Sequence, residues 1–267
     1  MRTSRRFFDM KQQSEKIAML TAYDAPTARA LAEGGVDVLL VGDSVGTNML
    51  GYTSEREVTM DDIVHHVRAV RRGAPDMFII GDLPYGAVAT VALAVANAKR
   101  LVAAGADMVK FEGALPDVVR AIKAEGLKVC CHLGLEPQNH EEKRLKGKTA
   151  ADARKLVDDA RALDAAGQDM IVLELVPEEV ADAITRAVKA PTIGIGAGRK
   201  TDGQVLVIVD VLGYTAASFK HNKRYADVGE TMRQSARRYA EDVHAGAFPA
   251  EANAFRMPKD EREAFGA

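Results

Sequence analysis

The chain has 267 residues, 47% of them hydrophobic and 28% charged, the balance of a globular protein with a core of its own. A formal net charge of -2, from 36 basic and 38 acidic residues, leaves no excess of positive charge for nucleic acid or an anionic membrane. The basic start, Arg5-Arg-Phe-Phe8, leads into no apolar signal core, and no stretch approaches the roughly 20 apolar residues of a membrane span; a cytoplasmic protein is expected.

Residues 1–16 read as a polar lead. Residues 16–24 then form a strand ending at Asp24, and 25–34 an alanine-rich helix with Pro26 in its first turn and Gly34-Gly35 at its end. The second strand, 36–43, is apolar on both faces and stops at Asp43-Ser44 between Gly42 and Gly46, as a strand of a parallel sheet covered on each side does. A helix from Thr59 to about Arg72 ends at Gly73-Ala-Pro75, and 77–84 is a third strand carrying Asp82. The pattern repeats as helix 91–104, strand 106–113 with Lys110 and Glu112, helix 116–125, and strand 127–134 with His132. A charged loop over 136–148 leads to a helix from Thr149 to about Ala166, strand 168–176 with Glu174, a helix begun by Pro177, and strand 190–198 running into glycines. Residues 204–210 make an eighth β-branched run, too close behind Gly198 for a full helix between them. A long helix from Val228 to about His244 precedes the tail.

Eight strands alternating with helices over about 250 residues predict a single (β/α)8 TIM barrel, one domain over 1–267 with a lead of about 1–16 and a tail of about 245–267. The adjacent Cys130 and Cys131, inside an apolar run, read as buried thiols rather than a disulfide or zinc site.

Asp24, Asp43, Asp82, Lys110 with Glu112, His132 and Glu174 fall at or just before the predicted carboxyl ends of six strands, which a barrel gathers on one face. A single Asp there ordinarily caps a helix or turn; so many in successive units are hard to assign to capping. Several carboxylates in one mouth call for a compensating cation. With oxygen donors only, that cation is magnesium, held directly by Asp43 and Asp82 and by Glu112 directly or through water. Lys110 is either a salt-bridge partner for these acids or the cation that receives a substrate carboxylate. Glu174, between Leu173 and Leu175, is the best general base, with His132 as its rival or a structural residue. Gly194-Ile-Gly-Ala-Gly198 reads as a place where backbone approaches a ligand, and less as a phosphate cradle; His65 and His66 read as ordinary surface or packing residues.

The motifs Leu20-Thr-Ala-Tyr-Asp24, Val41-Gly-Asp-Ser-Val-Gly46, Val109-Lys-Phe-Glu-Gly113, Cys131-His-Leu-Gly-Leu135, Leu173-Glu-Leu-Val-Pro177 and Thr201-Asp-Gly-Gln204 occur in order between about residues 16 and 250. This series resembles the ketopantoate hydroxymethyltransferase (3-methyl-2-oxobutanoate hydroxymethyltransferase) family, barrels of the phosphoenolpyruvate and isocitrate lyase type. The resemblance implies hydroxymethyl transfer from 5,10-methylenetetrahydrofolate to 3-methyl-2-oxobutanoate, a magnesium cofactor and a homo-decamer. It implies Asp43, Asp82 and Glu112 as metal ligands, Asp43, Ser44, Asp82 and Lys110 as ketoacid-binding groups, Glu174 as proton acceptor and His132 as a pocket residue. The chain departs from the family in the loop 136–148, which is shorter, more charged and without a double glycine, and in 214–223 and the tail. Two other readings stand beside this one: a magnesium-dependent lyase or aldolase acting on another 2-oxo acid, and a non-catalytic ligand-binding barrel.

Overall fold

Every residue of Val38–Val41 (β2), Phe78–Asp82 (β3), Met108–Glu112 (β4) and Val129–Gly134 (β5) is buried, so these strands are covered on both faces. The computed structural model describes residues 2–139, 144–215 and 219–266. With Ile17–Thr21 (β1), Met170–Glu174 (β6), Thr192–Ile195 (β7) and Gly203–Leu206 (β8), the strands pair in parallel and in sequence order, and β8 returns to β1. The barrel expected from the alternation is present and closed.

Alternate residues separate two cores. Met19, Leu40, Ile80, Met108, Met170 and Ile193 fill the barrel's interior, whereas Leu39, Ile79, Val109, Cys131, Ile171 and Leu173 face the surrounding helices. Those helices are Ala25–Glu33 (α2), Met60–Gly73 (α3), Val91–Ala104 (α4), Pro116–Ala124 (α5), Ala150–Ala165 (α6) and Glu178–Ala187 (α7), preceded by Arg5–Gln12 (α1). No helix among the described residues is long and apolar enough to cross a membrane.

Three expectations change. The polar lead contains α1, whose Phe7 and Met10 join the interior cluster and close the barrel's amino-terminal end; the Phe7 ring meets Phe78 edge-on at 5.0 Å. The run 204–210 divides into β8 and a short helix, Ile208–Leu212 (α8), because the Ile208 amide donates to Thr21 Oγ1 at 2.9 Å and leaves the ladder. Asp24 belongs to no shared pocket: it caps α2, its carboxylate accepting from the Thr27 amide and hydroxyl at 2.8 Å each. The chain ends in Val228–His244 (α9), a tail, and Lys259–Phe265 (α10).

Candidate active site

The parity that fills the interior also builds the site. Stepping by two from inward-facing Ile80 reaches Asp82; from Met108 it reaches Lys110 and then Glu112; from Cys130, His132; from Met170, Val172 and Glu174. The ladder register then sets neighbours side by side: Asp82 pairs with Lys110, Glu112 with His132, and Gly134 with Glu174. A cavity of about 540 Å³ opens at these strand ends, lined by Asp43, Ser44, Asp82, Lys110, Glu112 and Glu174 among others. All six residues expected at the site, and His132, therefore meet in one mouth.

Lys110 Nζ donates to Asp82 Oδ2 at 2.6 Å in a buried ion pair. Burial alone would weaken the lysine's hold on its proton, but the charges of Asp82, Asp43 and Glu112 outweigh it and raise its affinity above the ordinary value. Burial pushes Asp82 up to about 7 and Glu112 up to about 9, with Lys110 acting in the opposite direction on both. Asp43 is also raised, again by burial first. The site therefore holds more acid than one lysine satisfies. His132 stands between Glu112 and Glu174, with Nδ1 3.5 Å from Glu112 Oε1 and Nε2 3.4 Å from Glu174 Oε2. Burial and the Lys110 charge hold this imidazole well below its usual range, so it is neutral.

Glu174 closes β6, and the next residue, Leu175, takes a left-handed backbone with φ 44° that turns the chain sharply after the carboxylate. Its carbonyl accepts from the Leu135 amide at 2.8 Å, and a Cβ on Gly134 would lie 2.2 Å from that carbonyl oxygen. Gly134 is thus glycine because the Glu174 backbone occupies the space.

Four contributors escape a reading by strand ends. Tyr23 OH shares a 2.8 Å hydrogen bond with Ser44 Oγ and steadies it beside Asp43. Gln138 reaches into the mouth from the loop after β5, and Asp210 and His221 line the far side. Nothing in the sequence marks how far that loop reaches. Residues 140–143 of the charged loop and 216–218 of the divergent segment lie outside the described residues. In the glycine run, a Cβ on Gly194 would meet Thr201 and one on Gly198 would meet Glu178, so these two glycines allow close packing. His66 is held by the Tyr23 carbonyl at 2.6 Å.

The donors fit a hard cation. They are carboxylate oxygens, and Asp82 Oδ1 is buried with no hydrogen-bond partner among the described residues. No group of three acids, imidazoles or thiols among those residues closes into a ready metal cage. Magnesium asks for no such cage, since it commonly takes one or two carboxylates and fills its octahedron with water and substrate.

Similarity to known proteins agrees in fold and family. Among solved structures, phosphonopyruvate hydrolase matches with a TM-score of 0.63 at 13% identity, over all of this chain and 95% of that one. For 2,3-dimethylmalate lyase, described as a member of the PEP mutase/isocitrate lyase superfamily, the TM-score is 0.60 at 13% identity, covering 98% and 97% of the two chains. The 3-methyl-2-oxobutanoate hydroxymethyltransferase of a Geobacillus species is 45% identical, over 98% of this chain and 96% of that protein. The protein of the same name from Ignicoccus hospitalis is 48% identical, over 90% and 94%. The family model for ketopantoate hydroxymethyltransferase matches residues 2–251, and the chain belongs to that family.

Proposed function

We propose that the protein transfers a hydroxymethyl group from 5,10-methylenetetrahydrofolate to 3-methyl-2-oxobutanoate, giving 2-dehydropantoate (ketopantoate), the precursor of pantothenate. The observation that carries the reading is the ring of Asp43, Asp82, Lys110, Glu112, His132 and Glu174 on one cavity, in a chain nearly half identical to enzymes of that name.

Asp43 and Asp82 would hold a magnesium ion, with Glu112 beside it, and a bound ion would supply the Lewis acidity that makes the C–H next to the ketone acidic. Lys110 and Ser44 receive the acid's carboxylate and fix its orientation. Glu174 takes the C3 proton, and the pair of electrons passes into the C2–C3 enolate. His132, neutral in this environment and with Nε2 3.4 Å from Glu174 Oε2, leaves that proton to Glu174. Water opens both links of the one-carbon unit to the folate nitrogens, its two hydrogens ending on those nitrogens and its oxygen on the carbon as formaldehyde. C3 then bonds to that carbon, and Glu174 returns its proton to the alkoxide so formed.

The test supplies the purified protein with magnesium, 3-methyl-2-oxobutanoate and methylenetetrahydrofolate, and follows ketopantoate by mass spectrometry. Magnesium-dependent exchange of the C3 hydrogen with heavy water is expected without folate. Glu174→Gln should lower that exchange at least 100-fold while leaving metal binding intact; exchange at the wild-type rate would remove Glu174 as the base. Exchange without product in the presence of the folate would instead support a lyase or aldolase on another 2-oxo acid.

The protein acts as a homo-oligomer in this reading. α9 buries only Gly229, and its exposed Met232, Tyr239 and Val243 are spaced by seven and four residues, one face of a helix. Phe248, Phe255, Met257 and Phe265 in the tail are exposed as well. A stripe of this length on a monomer marks an interface, and a second copy of this chain is its occupant.

A further inference from the structure

Gln138 is 4% exposed and bonds to residues at or just beyond the ends of three strands, β2, β3 and β4. Its Nε2 donates to Asp43 Oδ2 at 2.7 Å and to the Leu83 carbonyl at 3.2 Å, and its backbone amide donates to Glu112 Oε2 at 3.0 Å. Its own carbonyl is held in turn, accepting from Arg56 Nε at 2.8 Å. Arg56 is presented by a short turn, Glu55–Glu57, in which the Ser54 hydroxyl accepts from the Arg56 amide and Glu57 Oε1 accepts from the amides of Thr53 and Ser54. Its guanidinium lies 5.2 Å over the Tyr85 ring. A chain of contacts thus runs from the loop after β2, through the loop after β5, to two of the site's acids.

We propose that Gln138 is a positioning residue for the reaction. Its donors fix the carboxylate planes of Asp43 and Glu112, and Arg56 locks the Gln138 peptide so that those donors stay aimed. The inference rests on the reading of these acids as the place where a divalent ion and the 2-oxo acid meet. A buried carboxylate without a donor rotates or takes up a proton, and either change spoils it as a ligand. With one oxygen of each acid tied to the same residue, the two side chains keep a fixed separation while water and substrate exchange around them. Outer partners of this kind commonly set metal affinity or activity by about 10–100-fold. A loop that merely anchors itself would need none of its donors on the acids. Here a side-chain and a backbone donor both go to them.

Gln138→Met keeps the length and the backbone donor to Glu112 but loses both side-chain donations. The expected result is a roughly 10-fold or greater loss of manganese affinity, measured by electron paramagnetic resonance without substrate. The C3 exchange rate at saturating 3-methyl-2-oxobutanoate should fall in parallel, in kcat more than in KM. Gln138→Asn, which stays polar but withdraws the amide by one methylene, should show the same loss and serves if the Met variant does not fold. Arg56→Ala should reproduce part of the effect, and Arg56→Ala with Gln138→Met should be no worse than Gln138→Met alone. Wild-type manganese affinity and exchange in a folded Gln138 variant would overturn the proposal, and additive losses would remove Arg56 from it. A wild-type protein that neither binds manganese nor exchanges the C3 hydrogen would overturn the reading of the site itself.

Discussion

Among the described residues Lys110 is the one buried lysine or arginine, and it lies among three buried acids. It is the salt-bridge partner of Asp82; the proposed function has it meet the carboxylate of a bound 2-oxo acid as well. Removing one member of a buried ion pair leaves the other uncompensated, at a cost of about 3–5 kcal/mol. Lys110→Met is therefore expected to lower unfolding free energy in urea at pH 8 by about 3 kcal/mol or more and to abolish C3 exchange. An unchanged urea midpoint would mean that Asp82 is balanced by something other than Lys110. Most acids of the site were legible in the sequence because strand-end position and parity place them independently of side-chain detail. Asp24 was misread for a related reason: an acid that ends a strand and one that caps the following helix stand at the same place in the text. Gln138 and Tyr23 were invisible because their roles depend on contacts 95 and 21 residues away in sequence.

At the scale of elements, β5 shows how one strand serves two cores. Cys130 points into the barrel and Cys131 toward the helices, and both are free and buried. Burial pushes the Cys130 thiol up to about 12 and raises Cys131 well above its ordinary value. Unfolded thiols ionise near about 8.5, so in alkali the unfolded chain releases protons that the fold retains. The stabilising contribution of these raised groups is complete below about pH 8.5 and is withdrawn as pH climbs toward 12. Urea midpoints should thus fall more steeply between pH 8 and pH 10.5 in the wild type than in Cys130→Ala/Cys131→Ala. Parallel slopes would show that the thiols ionise freely in the fold. Element boundaries were legible wherever glycine or proline punctuates them, as at Gly73-Ala-Pro75 and Pro177. Helix α1 was not, because its burial depends on a barrel floor that exists only once all the strands have paired. The run 204–210 was read as one strand because its β-branched residues favour one, and a tertiary contact, the Ile208 amide on Thr21 Oγ1, overrides that local preference.

For the whole molecule, the alternation of strand and helix sufficed to define the barrel, whereas the exposed apolar face of α9 is the feature on which the proposed second copy rests. Light scattering behind size exclusion should give a mass that is a multiple of 28.7 kDa, the homo-decamer implied by the sequence resemblance being one such multiple. Met232→Glu with Tyr239→Glu should shift it downward; a wild-type monomer would rule out the interface.

The floor formed by Phe7 against Phe78 carries a kinetic consequence. A barrel sealed at one end is a dead-end street: whatever sits deepest arrives first and departs last. The acids and Lys110 lie at the opposite ends of the strands from that floor, above the packed interior, and a bulky carrier would have to stop nearer the entrance. Ketoacid should therefore bind before carrier, and spent carrier should leave before product. Isotope trapping reads this order. Labelled 3-methyl-2-oxobutanoate bound to the enzyme, then chased with carrier and excess unlabelled acid, should be converted before it escapes. Complete dilution of the label at every carrier concentration would show a second way out.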